Sequence, residues 1–413
     1  MIVTRNVTAL AATALLTAGL AAEPATRPAV EPVLKPDPKV TAIINGLGDN
    51  EAARLPAGHV VGEFNALAKR FKLDKTGPFS RDYCLKMVWM PDRKRAIYMG
   101  ANHGTPHKIN DVWEYDLPSN TWVLLKNPDY NSRPGFQKTN AKTLIKDGMA
   151  VTESGSPVLA GHVFWGVTYD PNTRAYLMMN KHAGAPKGAT GLFGGPWLFA
   201  FDPYTREWTP RPTKPPHPFR GFGCSLDYIP DLGKSLWVNG STWRHPGTWT
   251  YDAKTNTWTE LKVAGPKDKE GRTEAVTAWD SRNKVLVAAI TRRVYHFDIA
   301  TNTWAKVVDG SDTAHPAPFA SDYVTPFGYD SANGVCLLAK PAGRRTWNYN
   351  YRVPCELWAY SPTDRQWTKL APIGPPSPNG NRAPCGYYDP DRNVFVTTWG
   401  TTVWVYRYKK AAE

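Results

Sequence analysis

The sequence predicts an all-β fold built from repeated four-stranded antiparallel units, and three observations lead there. Two phrases nearly repeat, "YDAKTNTWTEL" from Tyr251 and "FDIATNTWAKV" from Phe297, and their spacing recurs elsewhere in the chain. An Asp falls five residues before an apolar run in six places. The 17 Trp, 33 Gly and 37 Pro among 413 residues are a composition of short strands and many turns, with few long helices.

At the N-terminus, Arg5 precedes an uncharged stretch from Val7 to Leu20, and the small residues Gly19, Ala21 and Ala22 suit signal-peptidase cleavage. Residues 1–22 therefore read as a Sec-type signal peptide, whose uncharged stretch of 14 residues is shorter than the roughly 20 apolar residues of a membrane span. The expected location is secreted or periplasmic, and no membrane-spanning segment is expected. Residues 23–58 read as a Pro-rich tether and N-terminal extension, and residues 59–413 as one repeat domain.

Within the repeats, counting the Asp as position zero, Trp stands at plus six: Asp116 to Trp122, Asp202 to Trp208, Asp252 to Trp258, Asp298 to Trp304, with Ser361 to Trp367 keeping the step. Aromatic rings occupy minus three and minus one, as in Trp113 and Tyr115 or Trp249 and Tyr251, which puts both on one face of a strand. The Asp can accept backbone N–H bonds and so start a tight turn. Each phrase is a hairpin ending in the Trp strand. A second hairpin precedes it, marked by Asp92, Asp170, Asp231, Asp280, Asp330 and Asp389. Units of four strands, a to d, with two apolar faces can hide them only by stacking radially, which is a β-propeller. Six blades are expected, while the wide interval between Trp122 and Asp170 leaves room for a seventh. The last unit ends at Tyr408 with strand c, and "EFNALAKRFKL" (63–73), with Phe64, Asn65 and Phe71 in the register of the phrase, is expected to close the ring as its fourth strand.

The pattern aromatic-x-aromatic-Asp-x5-Trp, over roughly residues 60–408, resembles the kelch repeat of kelch propellers and of the central domain of galactose-oxidase-like proteins. That resemblance implies a kelch-type β-propeller. The copper chemistry it also suggests needs a Tyr beside a His, and the single such pair, Tyr295-His296, falls inside a c strand. No cofactor or metal is therefore expected, and His103-x3-His107 reads as loop histidines, because Gly104 and Pro106 interrupt them.

Alternation of strand direction puts the short a–b and c–d turns on one face and the long b–c and d–a loops on the other. Loops longer than a hairpin requires are where function sits on a rigid scaffold. The long ones carry cations and rings: Arg81, His103, His107, Arg133, His162, His182, Arg220, Trp243, Arg244, His245, Arg272, Arg345, Trp347, Tyr349 and Arg382. Planar guanidinium groups and flat rings suit acidic sugars. The formal charge of +14 points the same way, toward an anionic glycan or a secreted or envelope protein and not toward nucleic acid. A monomeric, non-catalytic binding module is expected. The competing reading is a carbohydrate-active enzyme, oxidase, lyase or hydrolase, on the same scaffold, for which no paired-carboxylate signature stands out. Of five Cys, Cys336 and Cys355 flank one loop and are expected to form a disulfide, while Cys84, Cys224 and Cys385 read as small buried hydrophobes.

Overall fold

The Asp of each repeated phrase organises its turn as its chemistry allows. The Asp202 Oδ1 accepts the backbone N–H groups of Tyr204 and Thr205 at 2.7 and 3.2 Å, and Asp252 and Asp298 make the same pair of bonds two and three residues on. Each of these turns has four residues, the fourth with φ between 50° and 62°. Asn occupies that left-handed position at Asn120, Asn256 and Asn302, the side chain that tolerates it best after Gly.

A computed structural model describes residues 32–70, 77–78, 84–100, 109–129, 143–158, 163, 165–180, 197–218, 223–239, 247–265, 275–313, 315–320, 326–342, 354–377 and 384–411. Helix α1 (Pro38–Gly46), β1 (Glu51–Arg54), β2 (His59–Val61) and helix α2 (Ala66–Arg70) come first. Blade 1 is β3 (Val88–Met90), β4 (Arg95–Met99), β5 (Val112–Asp116) and β6 (Thr121–Lys126), followed by the separate hairpin β7 (Thr143–Lys146) and β8 (Met149–Thr152). Blade 2 is β9 (Val167–Asp170), β10 (Ala175–Asn180), β11 (Trp197–Asp202) and β12 (Glu207–Pro210). Blade 3 is β13 (Cys224–Ile229), β14 (Lys234–Asn239), β15 (Gly247–Asp252) and β16 (Thr257–Glu260), and blade 4 is β17 (Val276–Asp280), β18 (Val285–Ile290), β19 (Arg293–Asp298) and β20 (Thr303–Val308). Blade 5 is β21 (Phe327–Asp330), β22 (Val335–Pro341), β23 (Cys355–Ser361) and β24 (Gln366–Leu370), and blade 6 is β25 (Cys385–Asp389), β26 (Val394–Trp399) and β27 (Thr402–Arg407), completed by β1. The innermost strands touch in the cycle β3, β9, β13, β17, β21, β25 and back to β3, so the six antiparallel blades form a closed β-propeller. The interval between Trp122 and Asp170 holds the β7–β8 hairpin, whose Met149, Ala150 and Val151 are buried in the cluster shared by blades 1 and 2, and not a seventh blade.

The plus-six Trp packs across the strand pair on the minus-one aromatic in five blades. Tyr115 faces Trp122, Phe201 faces Trp208, Tyr251 faces Trp258, Phe297 faces Trp304 and Tyr360 faces Trp367, with ring centroids 4.7–5.1 Å apart. Such pairs add about 0.5–1.5 kcal/mol beyond area burial. The repeated phrase thus builds the outer half of each of these five blades.

Ring closure uses an earlier segment than expected. The fourth strand of blade 6 is β1, pairing antiparallel with β27 from Glu51 opposite Arg407 to Arg54 opposite Trp404. Within 63–73, the described residues instead form α2, because the Asn65 Oδ1 accepts the Ala68 N–H as a helix cap. The N-terminal extension is accordingly part of the propeller: Val40, Ile44 and Leu47 are buried with Trp113 and Val405 between blades 1 and 6.

A second repeated device appears only in the structure. After strand d, the chain runs briefly parallel to strand d of the next blade and then turns at a glycine with positive φ. Ala264 pairs with Thr303 before Gly265 (φ 125°), Ile373 pairs with Glu51 before Gly374 (φ 113°), and β2 pairs with β6 before Gly62 (φ 112°). A Cβ on Gly374 would lie 2.2 Å from the Ala52 carbonyl oxygen, so only glycine lets the chain pass the closing strand so closely.

Candidate functional site

The fifteen loop residues from Arg81 to Arg382 assigned to the ligand face all lie outside the described residues. The disulfide does not form. Cys336 is opposite Tyr360 and Cys355 opposite Pro341, five rungs apart on one ladder, on the order of 17 Å. A bridge needs Cα atoms within about 7 Å, and neither Cys336 nor Cys355 is disulfide-bonded. Cys84, Cys224, Cys336 and Cys385 are buried, and burial pushes the Cys355 thiol up to about 12, so neither member of the expected pair is poised for thiol chemistry.

Tyr295 and His296, the one Tyr-His pair weighed for metal chemistry, are consecutive on β19 and so face opposite sides of the sheet. The His296 Nε2 sits 2.9 Å from the Tyr360 hydroxyl in the wall between blades 4 and 5. Burial, then Arg365, lowers its pKa to about 4, against a smaller opposing pull from Asp280. Between that value and the unfolded value of about 6.5 the unfolded chain binds more protons. Stability from neutral His296 is therefore complete above pH about 6.5 and is lost as pH falls toward 4. Asp389, raised to about 6 by burial despite Arg392, works in the opposite sense over the same range and flattens the total curve. Comparison with a non-titrating variant isolates the histidine: chemical denaturation of the parent and His296→Gln at several pH values should show the gap moving about 3 kcal/mol in the variant's favour from pH 6.5 to 4.

A cavity lies on the ring axis at the short-turn end, about 450 Å³ in volume. Its walls come from all six innermost strands. Each contributes the aromatic residue next to last in the strand, two positions before its a–b turn: Trp89, Tyr169, Tyr228, Trp279, Tyr329 and Tyr388. Several of these rings are tied to the preceding blade. The Tyr169 hydroxyl donates to Asp92 at 2.8 Å, the Tyr228 hydroxyl accepts from Asn172 at 2.9 Å, and Trp89 stacks on Tyr387 at 6.0 Å and 13°. Burial, followed by Asp92, Asp280 and Asp330 respectively, pushes the phenols of Tyr169, Tyr329 and Tyr388 well above their usual range, so all remain protonated donors. The prolines Pro91, Pro171 and Pro230, each the first residue of an a–b turn, form part of the rim.

Two side chains bridge between blades below this collar. Lys86, just ahead of β3, reaches across to blade 3, where its Nζ donates to the Leu226 carbonyl at 2.8 Å and to Asp227 Oδ1 at 2.7 Å. Thr277 of blade 4 donates to the other Asp227 oxygen. Trp165, fully buried, spans from ahead of blade 2 to the Thr277 carbonyl at 2.8 Å and lies 5.7 Å from the Lys86 Nζ. Burial lowers the Lys86 pKa while Asp227 opposes the shift. The cavity is thus a cup with aromatic walls and a charge-balanced floor.

The sequence did carry a signal for the collar, an aromatic two positions before each a–b turn. It was obscured because Asp92 and Asp231 sit inside their turns, two positions beyond the place that Asp170 occupies. The true counterparts there are Met90 and Ile229. Among the described residues, no group of three His, Cys, Asp or Glu side chains is arranged to hold a metal ion, and no helix is long and apolar enough to cross a membrane.

No family model and no curated protein matches the chain. A solved structure described as "Structure of YjhT" is similar over 57% of this chain and 72% of that chain, with 14% sequence identity and a TM-score of 0.36. The six-blade assignment rests on the sheet topology alone.

Proposed function

We propose that this propeller is an exported, non-catalytic binding module of the kelch type that holds an anionic carbohydrate, or an acidic secreted partner, on its long-loop face. The inequality of the two ends carries the reading. Every a–b and c–d connection is a four-residue turn, with nothing to spare for recognition. At the other end the b–c connections of blades 4 and 6 are two residues each, whereas those of blades 1, 2, 3 and 5 span 100–111, 181–196, 240–246 and 342–354. These four hold His103, His107, His182, Trp243, Arg244, His245, Arg345, Trp347 and Tyr349 in sequence, and the net charge of +14 supplies long-range attraction for an anion. A glycan array probed with the mature protein should give acidic glycans at low salt, with signal falling steeply at high salt. Silence at low salt would sink the acidic-glycan reading and leave the protein partner.

A further inference from the structure

We propose a second binding site at the opposite end of the ring: the axial cup takes a neutral mono- or disaccharide. The inference is independent of the long-loop reading, because it rests on residues at the short-turn end alone.

A volume of about 450 Å³ falls within the roughly 300–1,000 Å³ typical of small-ligand sites. The cup is walled by one ring from each blade, Trp89, Tyr169, Tyr228, Trp279, Tyr329 and Tyr388, at a single register position. Rings of this kind offer apolar surface to the C–H face of a pyranose. The floor selects against charge. An anion entering the cup meets Asp227, a cation meets Lys86, and neither can be neutralised because those two already pair at 2.7 Å. A wholly apolar ligand would strip water from the ion pair and give nothing back. A sugar hydroxyl donates and accepts at once, so it can serve Asp227 and Lys86 together.

Two further groups call for an oxygen acceptor. The Trp279 Nε1 and the Tyr387 hydroxyl, both on side chains lining the cup, are buried without a hydrogen-bond partner among the described residues. Such donors cost stability while unmet. A modest turn of either ring presents its donor to a ligand oxygen, so the collar tightens on binding and the indole environment changes.

The test is saturation-transfer NMR and tryptophan fluorescence on the mature protein, with a panel of neutral mono- and disaccharides and their uronate and amino-sugar counterparts, at low and high salt. The expected result is binding of at least one neutral sugar, unchanged by salt, with the charged counterparts weaker. Trp279→Ala should weaken it roughly tenfold by removing a stacking face. Tyr228→Ala, at a partly exposed ring, should weaken it similarly and serves if Trp279→Ala does not fold. Absence of any neutral-sugar signal overturns the proposal, as does binding that survives in both variants or that favours a charged counterpart. An acidic glycan whose binding is salt-sensitive and indifferent to both substitutions reports the other face and gives the cup no support; if it is the only binder, the cup proposal fails.

Discussion

A chain that starts at His59 should fail to form a stable ring. It lacks β1, so β27 loses every hydrogen bond from Glu51 opposite Arg407 to Arg54 opposite Trp404, and blade 6 is left with three strands and an open edge. It also loses α1, whose Val40 and Ile44 fill the seam between blades 1 and 6. The lost side-chain burial alone amounts to several kcal/mol at about 1.5–3 kcal/mol per buried aliphatic residue, comparable with the whole stability of an ordinary domain. Circular dichroism and size-exclusion chromatography should report loss of the cooperative melt, with dimers or aggregates formed through the exposed β27 edge. A monomer that melts like the parent would show that the closing strand is dispensable. Gly374→Val is the point-mutation form of the same experiment, since the new side chain must displace the Ala52 carbonyl from its path.

Lys86→Ala should destabilise the protein by about 3–5 kcal/mol, the cost of leaving one member of a buried ion pair uncompensated. Asp227 would keep the Thr277 hydroxyl but lose its cation, and the Leu226 carbonyl would lose its donor. Asp227→Asn in the same chain should recover a large part of the loss, because the neutral amide no longer needs the ammonium group. Urea melts of the two single variants and the double variant give the coupling directly. A loss below about 1 kcal/mol for Lys86→Ala would mean that water already solvates the pair, and that the cup has no sealed floor.

Most of the ring could be read from the chain because its turns impose chemistry. A four-residue hairpin needs an acceptor at its start and a residue that tolerates positive φ at its end, and Asp252 and Asn256 are those residues written out. The closing strand could not be read that way. Glu-Ala-Ala-Arg at 51–54 carries no ring, and its place is secured by backbone pairing and by the bare Cα of Gly374. Phe64 and Asn65 imitated the phrase while serving a helix cap. The two cysteines flank one loop in sequence, but pairing register set them five rungs apart. In the cup, Lys86 and Asp227 are 141 residues apart and no local pattern joins them. Only the curvature of the ring brings blade 1 within reach of blade 3.

The clasp between β1 and β27 also has a mechanical side. Their antiparallel register puts both chain ends at the same end of the strand pair: the Asn50 N–H donates to the Tyr408 carbonyl at 2.9 Å, and the Lys410 N–H to the Asp49 carboxylate at 2.7 Å. Tension applied between the two ends would therefore draw α1 from its seam and then peel the strands apart one hydrogen bond at a time, beginning at Asp49 and Lys410, and would never load the bonds together in shear. Held by one end alone, the ring carries no such tension. Fused at both ends into a load-bearing chain, it would open at low force, starting from the seam of blade 6.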